Sequence, residues 1–324
     1  MASNSNITLG LVIAPIAQGM LAIALTSPVR AQIIPTDGTG TRVTPNGDRF
    51  DIDGGQVSGD GINLFHQLEQ LRLEQGQTAN FLSDSQIQNI LTTVTGGHGT
   101  YINGTLQVSG SNANLWLIDP AGVMFGPNAI LNVPGDFMAT TATGIEFGNN
   151  TWLNAIGDNQ WAQLVGTPQA LTWTTANPGA IVNQGNLAVS TGQQLGLLGG
   201  SLLNTGTLQA PAGQLTVAAV PGEHLLRLSI PGNLLSLEVS PLTSATAQSS
   251  HSLSLPQLLA GQSAASADGV SVNPDGTVSL VGSAIEINPQ PGTAIVSGRL
   301  SVAAPTATEA IAPNPGSIHV LGDR

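Results

Sequence analysis

Cysteine and lysine are absent from the 324-residue chain, and charged residues of all kinds make up only 8 % of it. The lack of cysteine excludes a thiol nucleophile, a thiolate zinc site and a disulfide. The lack of lysine excludes a Schiff base and a phosphate-loop lysine. All seven basic residues are arginine and the net charge is −12, so no basic surface can displace counterions from a nucleic acid. We therefore expect no nucleic-acid partner.

The residues that are abundant favour short strands joined by many turns. Hydrophobic residues make up 41 % of the chain and glycine contributes 40 residues, whereas amphipathic helices normally carry charge on their outer faces. Apolar alternation over residues 105–108 and 277–280 is typical of strands. Residues 62–73 are the one exception, because Leu64, Leu68 and Leu71 could line one face of a helix.

The N-terminus has the pattern of an export signal. Residues 7–27 form an uncharged apolar run, and Val29 and Ala31 suit the small-residue positions before a signal-peptidase cut. We expect a signal over residues 1–31 and a mature chain that begins at Gln32. The alternative is a membrane anchor, since residues 1–6 carry no lysine or arginine, although Pro15 interrupts the apolar run.

The remaining chain repeats itself with a drifting period of 20–22 residues. The segment 181–187 (IVNQGNL) recurs as 202–208 (LLNTGTL), and residues 194–195 recur as 214–215. Residues 276–278 and 298–300 continue the series at a spacing of 22. Strand-like segments with Asn and Gly corners at such a period predict a β-solenoid, in which stacked coils share one core. The alternative is a β-sandwich with chance similarity between two hairpins.

Several blocks occur in a defined order along the chain. They are 63–66 (NLFH), 87–90 (IQNI), 94–97 (VTGG), 113–129 (ANLWLIDPAGVMFGPNA), 131–133 (LNV), 137–141 (FMATT), 177–183 (NPGAIVN) and 316–324 (GSIHVLGDR). This combination resembles the filamentous-haemagglutinin N-terminal domain, the secretion domain of two-partner-secreted exoproteins. The resemblance covers nearly all of the chain that follows the expected signal.

The resemblance implies an all-β fold, a right-handed parallel β-helix with an N-terminal cap. It also implies a dedicated outer-membrane two-partner secretion pore as partner, and a secreted or cell-surface location. The implied secretion-motif residues are Asn63, Leu64, Phe65, Asn114, Asp119, Pro120, Gly122, Phe125 and Gly126. The family's turn Asn-Pro-Asn-Gly corresponds to residues 119–122 (DPAG), where two of the four residues differ. This segment is either a structural turn or a direct contact with the exporter.

Side chains that could carry other chemistry are scattered. His66, His98, His224, His251 and His319 include no pair with metal-ligand spacing, and we expect His66 to pack in the cap. Residues 96–99 are expected to form a corner, and the aspartates of 51–60 to lie in strands and turns rather than to bind Ca²⁺. We expect no cofactor. The segment 152–173 holds three of the four tryptophans, as a cover over the core or as an exposed binding face.

Two functions are compatible with these observations. The first is a secreted exoprotein with an adhesive or cell-surface structural role, whose ligand would be a receptor or a carbohydrate. The alternative is a β-helix polysaccharide lyase or hydrolase, disfavoured because residues 150–323 hold only Arg227 and Arg299 as basic residues. We expect a signal over 1–31, a secretion domain over 32–150 and a continued β-helix over 151–324. We expect the chain to be truncated at its C-terminus, so that its final coil is an open edge through which chains self-associate.

Overall fold

The fold is described by a computed structural model over residues 32–148, 150–228, 240–241, 269–272, 278–281, 285–287, 291–304 and 316–322. The expected signal over 1–31 lies outside these residues. The described part is all-β, with one short 3-10 helix, η1 (Trp161–Gln163). None of the helices in these ranges is long and apolar enough to cross a membrane.

The strands follow one another in short segments. They are β1 (Gln32–Pro35), β2 (Arg42–Asn46), β3 (Arg49–Asp53), β4 (Gln56–Val57), β5 (Asn63–Leu73), β6 (Thr78–Leu82), β7 (Asn89–Val94), β8 (Thr100–Ile102), β9 (Thr105–Ser109), β10 (Asn114–Ile118), β11 (Val123–Phe125), β12 (Ile130–Asn132), β13 (Phe137–Thr140), β14 (Gly144–Phe147), β15 (Thr151–Asn154), β16 (Pro168–Trp173), β17 (Ala180–Asn183), β18 (Asn186–Ala188), β19 (Gln194–Gly199), β20 (Ser201–Asn204), β21 (Thr207–Gln209), β22 (Gln214–Ala219), β23 (His224–Arg227), β24 (Ser240–Pro241), β25 (Gly269–Val272), β26 (Val278–Val281), β27 (Ile285–Ile287), β28 (Ala294–Val296), β29 (Arg299–Ser301) and β30 (Ser317–Leu321).

Parallel pairing arranges most of these strands into the three faces of a β-helix, which confirms the expected architecture. The first face has the order β5-β7-β10-β13-β19-β22-β30, and the second has the order β5-β8-β11-β17-β20-β28. The third face comprises β3-β6-β9-β12 and β18-β21-β29. We number coils 1 to 7 by the strands of the first face.

Strand β5 begins both of the first two faces. Residues 63–68 pair with β7, and residues 72–73 pair with β8, so the strand runs around a corner. The helical interpretation of residues 62–73 is therefore wrong. Leu64, Leu68 and Leu71 are all buried in the same core, because the strand bends between its two halves rather than because a helix presents them.

The internal repeat follows the coil register where the two copies are adjacent coils. Ile181 pairs with Leu202, Leu187 pairs with Leu208, and Leu195 pairs with Leu215. The continuation at residues 276–278 is wrong, because β26 pairs antiparallel with β25 and β27. Leu208 pairs instead with Leu300 of the next coil. That coil, coil 6, is built from two parts of the chain that lie far apart in sequence, β22 and β28–β29.

The inner core is built from columns of residues that occupy the same position in successive coils. One column runs down the first face and consists of Leu64, Ile90, Leu115, Phe137, Leu195, Leu215 and Ile318. Its first six members are at most 4 % exposed. Each coil thus covers its neighbour's apolar side chains, and no coil buries its inner face alone.

The corner between the second and third faces is held by asparagine and glycine. Asn183 Nδ2 donates to Asn204 Oδ1 of the next coil at 2.7 Å, and Asn183 Oδ1 accepts from the Gly185 amide at 3.0 Å. A Cβ on Gly206 would clash with the backbone carbonyl oxygen of Gly185. The repeated Asn-x-Gly of residues 183–185 and 204–206 is therefore explained by close coil stacking.

An N-terminal cap closes the first coil. Strands β1 and β4 pair antiparallel with β5 on the edge that no earlier coil could cover, and the hairpin of β2 and β3 joins the third face. An uncovered edge of this kind would otherwise be free to pair with other chains.

A second sheet lies outside the solenoid. Two excursions from different coils supply it, in the antiparallel order β15-β14-β16-β23-β24. The apolar side chains of this outer sheet, among them Ile145, Leu171 and Trp173, share a core with outward-facing residues of the first face such as Phe65 and Leu91. The cover interpretation of the tryptophan segment is thus confirmed for Trp173, which is fully buried.

We predict that Gly206→Ala lowers the free energy of unfolding by about 1–3 kcal/mol or more. The added Cβ would force apart two coils whose backbones touch, and backbone gives way less easily than a flexible side chain. The control is Gly148→Ala, where the new Cβ would meet only the Gln169 side chain, at 3.5 Å. Urea unfolding of both variants checks this, and equal stabilities would contradict the stacking account.

Candidate functional site

The first motif block, residues 63–65, lies at the start of β5 and is buried. Leu64 points into the inner core, whereas Phe65 points outward. The Phe65 ring centroid lies 6.0 Å from that of Phe147 and 5.3 Å from that of Trp161. Asn63 donates from Nδ2 to the carbonyl oxygens of Leu164 and Gly166, at 3.0 and 2.8 Å. The outer sheet, through Phe147, and the connection between its strands β15 and β16 therefore hold this block in place.

Asn63 and Asn114, both expected motif residues, belong to one ladder of amide side chains. Asn89 Nδ2 donates to Asn63 Oδ1 and Asn114 Nδ2 donates to Asn89 Oδ1, both at 2.9 Å. Asn114 Oδ1 then accepts the Asp136 amide at 2.8 Å. The carboxylate of Asp136 in turn accepts the Gln194 amide at 2.7 Å. The chain of bonds thus runs from coil 1 to coil 5.

The structure adds Asn89 and Asp136 to the expected set. Their signal in the sequence is positional, since Asn89 pairs in register with both Asn63 and Asn114. Burial raises the pKa of Asp136, and the hydrogen bond from the Gln194 amide opposes that rise. Amide side chains suit such a ladder because each can donate to one coil and accept from another without burying a charge.

The second motif segment, residues 119–122, forms the turn between the first and second faces. Asp119 Oδ2 accepts the Thr100 hydroxyl of the preceding coil at 2.7 Å, and Oδ1 accepts the Ala121 amide at 2.9 Å. The Gly122 amide donates to the Asp119 carbonyl oxygen at 3.0 Å. Gly122 has φ +127°, as expected for a turn that needs glycine there. Pro120 accepts the Gly179 amide of the next coil at 3.1 Å.

The last two expected motif residues follow the turn and are also buried. Phe125 is fully buried and meets Phe137 edge to face, with ring centroids 6.0 Å apart. The Gly126 amide donates to the Ile102 carbonyl oxygen at 2.8 Å. A Cβ on Gly126 would lie 2.5 Å from Asn103 Oδ1. Both residues therefore serve coil stacking in the folded domain.

Two buried titratable groups lie in these coils, and burial shifts them in opposite directions. Burial raises the pKa of Asp119 to about 6, against hydrogen bonds from Thr100 and Ala121 that lower it. Burial lowers the pKa of His66 to about 4, with a smaller opposing effect of Asp53. His66 Nδ1 lies 3.1 Å from Thr41 Oγ1 of the cap. This confirms that His66 packs in the cap.

The remaining acidic candidates are engaged in structure. Asp51 accepts from Asn80 and Arg49 at 2.6 and 2.8 Å, and Asp60 accepts the Gly166 amide at 2.7 Å. Within the described ranges, no three His, Asp or Glu side chains gather as a metal site. Residues 96–99 form the corner between β7 and β8, as expected.

By its fold, the protein is a β-helix with an N-terminal cap, an amide ladder and a covering outer sheet. A family model described as the TPS secretion domain matches residues 31–280. The chain therefore belongs to the TPS secretion domain family, the two-partner secretion family that its motif blocks resemble. No curated protein matches it.

One solved structure with a similar chain is the secretion domain of HMW1 from Haemophilus influenzae, at 19 % sequence identity and a TM-score of 0.43. The match covers 67 % of this chain and 49 % of the HMW1 domain. The chain thus spans about half the length of that structure.

We predict that Asp119→Asn is more stable than the wild type at pH 7 and that the difference shrinks toward pH 4. A folded pKa raised from 3.8 to about 6 gives a stability contribution that is complete below pH 4 and lost as the pH rises through 6. The expected gain at pH 7 is about 1–3 kcal/mol. Urea unfolding between pH 4 and 7 measures it.

His66→Asn is a control whose stability relative to the wild type should change with pH in the opposite direction. A folded pKa lowered from 6.5 to about 4 gives stability that is present above pH 6.5 and lost as the pH falls toward 4. The difference between His66→Asn and the wild type should therefore move in the variant's favour as the pH falls. A pH-independent difference for either variant would contradict its assignment.

Proposed function

We propose that this chain is the secretion-directing part of an exoprotein, exported through a dedicated outer-membrane pore partner and delivered to the cell surface or the medium. The observation that carries the proposal is the TPS secretion domain match over residues 31–280. The apolar run of residues 7–27 with its small residues before Gln32 supports a signal-dependent first step across the inner membrane. Residues 32–150 contain all nine expected motif residues.

Because the motif side chains are buried, the exporter could contact them only at certain stages of folding. Asn63, Leu64, Phe65, Asp119 and Phe125 are each at most 4 % exposed in the folded domain. A partner protein gains affinity only from groups that it can reach, so contact with side chains that the coils themselves bury, such as Leu64 and Phe125, has to precede coil formation. The chain would pass the pore unfolded, and the absence of cysteine fits such a passage because no disulfide can form beforehand.

The third face supports the proposed adhesive or structural role. On β6 and β9, Thr78, Thr105 and Gln107 are half-buried and lie on neighbouring strands in register, Thr78 opposite Thr105. Neutral hydroxyl and amide groups can donate and accept hydrogen bonds without the desolvation cost of a charge. A carbohydrate or a polar patch of a cell-surface receptor is the ligand that suits such a face.

The C-terminal end of the described solenoid supports self-association. Strand β30 pairs with β22 alone among the described strands. Ile318 and Val320 occupy the inward columns of Leu215 and Val217, yet they are 42 and 48 % exposed. An edge that has no partner among the described strands and carries apolar side chains of this kind can pair with a second chain.

We predict that Gly122→Val lowers export of the chain when it is co-expressed with its pore partner. A β-branched residue at φ +127° is strained by about 1–3 kcal/mol, and its Cβ would lie 3.0 Å from the Ala180 carbonyl oxygen. Gly148→Val is the matched control, since no positive φ is required there. The double variant Asp119→Asn with Ala121→Asn, which restores the family's turn residues, should keep or improve export.

The amount of chain in the medium relative to the periplasm is the measurement. Urea unfolding of the purified variants separates a folding defect from an export defect. Normal secretion of Gly122→Val would remove the motif assignment of the turn. Failure of every variant and of the wild type to leave the periplasm with the partner present would overturn the proposed function.

We further predict that Val320→Lys reduces concentration-dependent association. A lysine on β30 would place a charge on the edge that a second chain has to cover. Ile156→Lys is the control, because Ile156 is 61 % exposed but lies in the turn after β15. Light scattering over a concentration series compares them. A strictly monomeric wild type would contradict the self-association proposal.

A further inference from the structure

A short segment that connects β15 and β16 of the outer sheet reaches back to the beginning of the solenoid. We call residues 161–166 the strap. The Ala162 carbonyl oxygen accepts the Gly59 amide at 3.0 Å, and Asp60 accepts the Gly166 amide at 2.7 Å. Asn63 donates to Leu164 and Gly166 at 3.0 and 2.8 Å. All of these hydrogen bonds join residues about a hundred positions apart in the chain, well beyond an ordinary turn.

The strap and its sheet cover an apolar column on the outside of coils 1 to 4. Phe65, Leu91, Trp116 and Met138 occupy the same outward position on successive strands of the first face. They pack against the outer sheet, with Trp161 of the strap directly on Phe65. The coils themselves provide no cover for this column, because it faces away from their common core.

The order of these elements in the chain separates coil formation from coverage. The strands that bear the column, β5, β7, β10 and β13, all end by Thr140, whereas the strap begins at Trp161. Coils 1 to 4 are joined stepwise, because each coil pairs with the next one in the stack. The strap instead contacts coil 1 directly, so its closure requires one long loop to close. Long-range contacts of this kind form late, since the loop entropy is lost before the contact repays it.

We propose that residues 161–166 act as a strap that closes after the first coils have stacked and switches the domain between two forms. In the open form the apolar column is uncovered, and Asn63 and Phe65 are accessible. In the closed form both residues are buried beneath the strap. The two forms are inferred from the geometry alone. Their consequence for export rests on the proposed function: the exporter would contact the open form, and closure of the strap would then end that contact.

The four tryptophans provide a specific reporter of the strap. Trp152, Trp161 and Trp173 lie in the strap and outer sheet, and Trp116 lies beneath them in the column. Tryptophan emission therefore follows closure of the outer sheet, whereas far-ultraviolet circular dichroism follows mainly the more numerous strands of the coils. The Gly59 amide offers a second, local reporter, because its hydrogen-bond acceptor is in the strap.

The experiment compares Leu164→Ala with Leu226→Ala in the full chain. Both leucines are 1 % exposed and belong to the same outer cluster, so each substitution leaves a similar cavity. Only Leu164 lies in the strap. Hydrogen exchange of the Gly59 amide should be at least about tenfold faster in Leu164→Ala than in Leu226→Ala, because the strap opens locally. Amides of β19 and β22 should exchange alike in the two variants.

Refolding from urea supplies the kinetic test on the wild type. The tryptophan signal should contain a phase that lags behind the circular dichroism signal, and Leu164→Ala should slow that phase or reduce its amplitude. Superimposable signals in the wild type would overturn late closure. Equal Gly59 exchange in the two variants would overturn the strap as a local switch. Loss of export by the wild type would bear on the proposed function and would leave both of these results unchanged.

Discussion

No coil of this protein can bury its own apolar residues, and this dependence of each coil on its neighbour determines the rest of the structure. The column that begins with Leu64 and Ile90 is covered only because the strands stack in parallel register. Register errors would place inward residues on the outside, since successive side chains of a strand point to opposite faces. The corner glycines and the amide ladder both serve to maintain that register.

The amide ladder explains why asparagine recurs where the first face begins. Asn63, Asn89 and Asn114 each satisfy a neighbour's polar group inside the stack, which avoids the cost of a buried unpaired amide. Asp119 is an exception, because a group that can carry a charge is fully buried there and burial raises its pKa. The turn that it forms tolerates the departure through its bonds to Thr100 and Ala121.

Much of the solenoid could be predicted from the sequence, because coil register leaves a trace in spacing. The repeat of residues 181–187 at 202–208 gave the correct strand partners, and the glycine at position 122 indicated its positive φ. The continuation of the repeat at residues 276–278 is a wrong prediction, because alternating apolar residues have the same pattern in a coil strand and in an antiparallel hairpin. Strand β5 looked helical because its bend around a corner breaks the period of two.

The outer sheet and the strap could be predicted only in part. The tryptophans of residues 152–173 indicated a cover, but its contacts with coil 1 use the backbone carbonyl oxygens of Leu164 and Gly166. Such groups are present at every residue, so composition and spacing do not distinguish them. The role of Asn89 is not predictable from the sequence for a related reason, since it follows from hydrogen bonds to two neighbouring coils at once.

The proposed function requires that the motif side chains of the inner core, such as Leu64 and Phe125, are accessible only before the coils stack. Because the chain has no cysteine, Leu64→Cys would carry the only thiol, at a position that is 4 % exposed. A maleimide reagent can then be applied to chain stalled in the pore by a folded C-terminal fusion and to chain released into the medium. We expect rapid labelling of the stalled chain and labelling of the released chain that is at least about a hundredfold slower. Equally rapid labelling of the released, folded chain would contradict it.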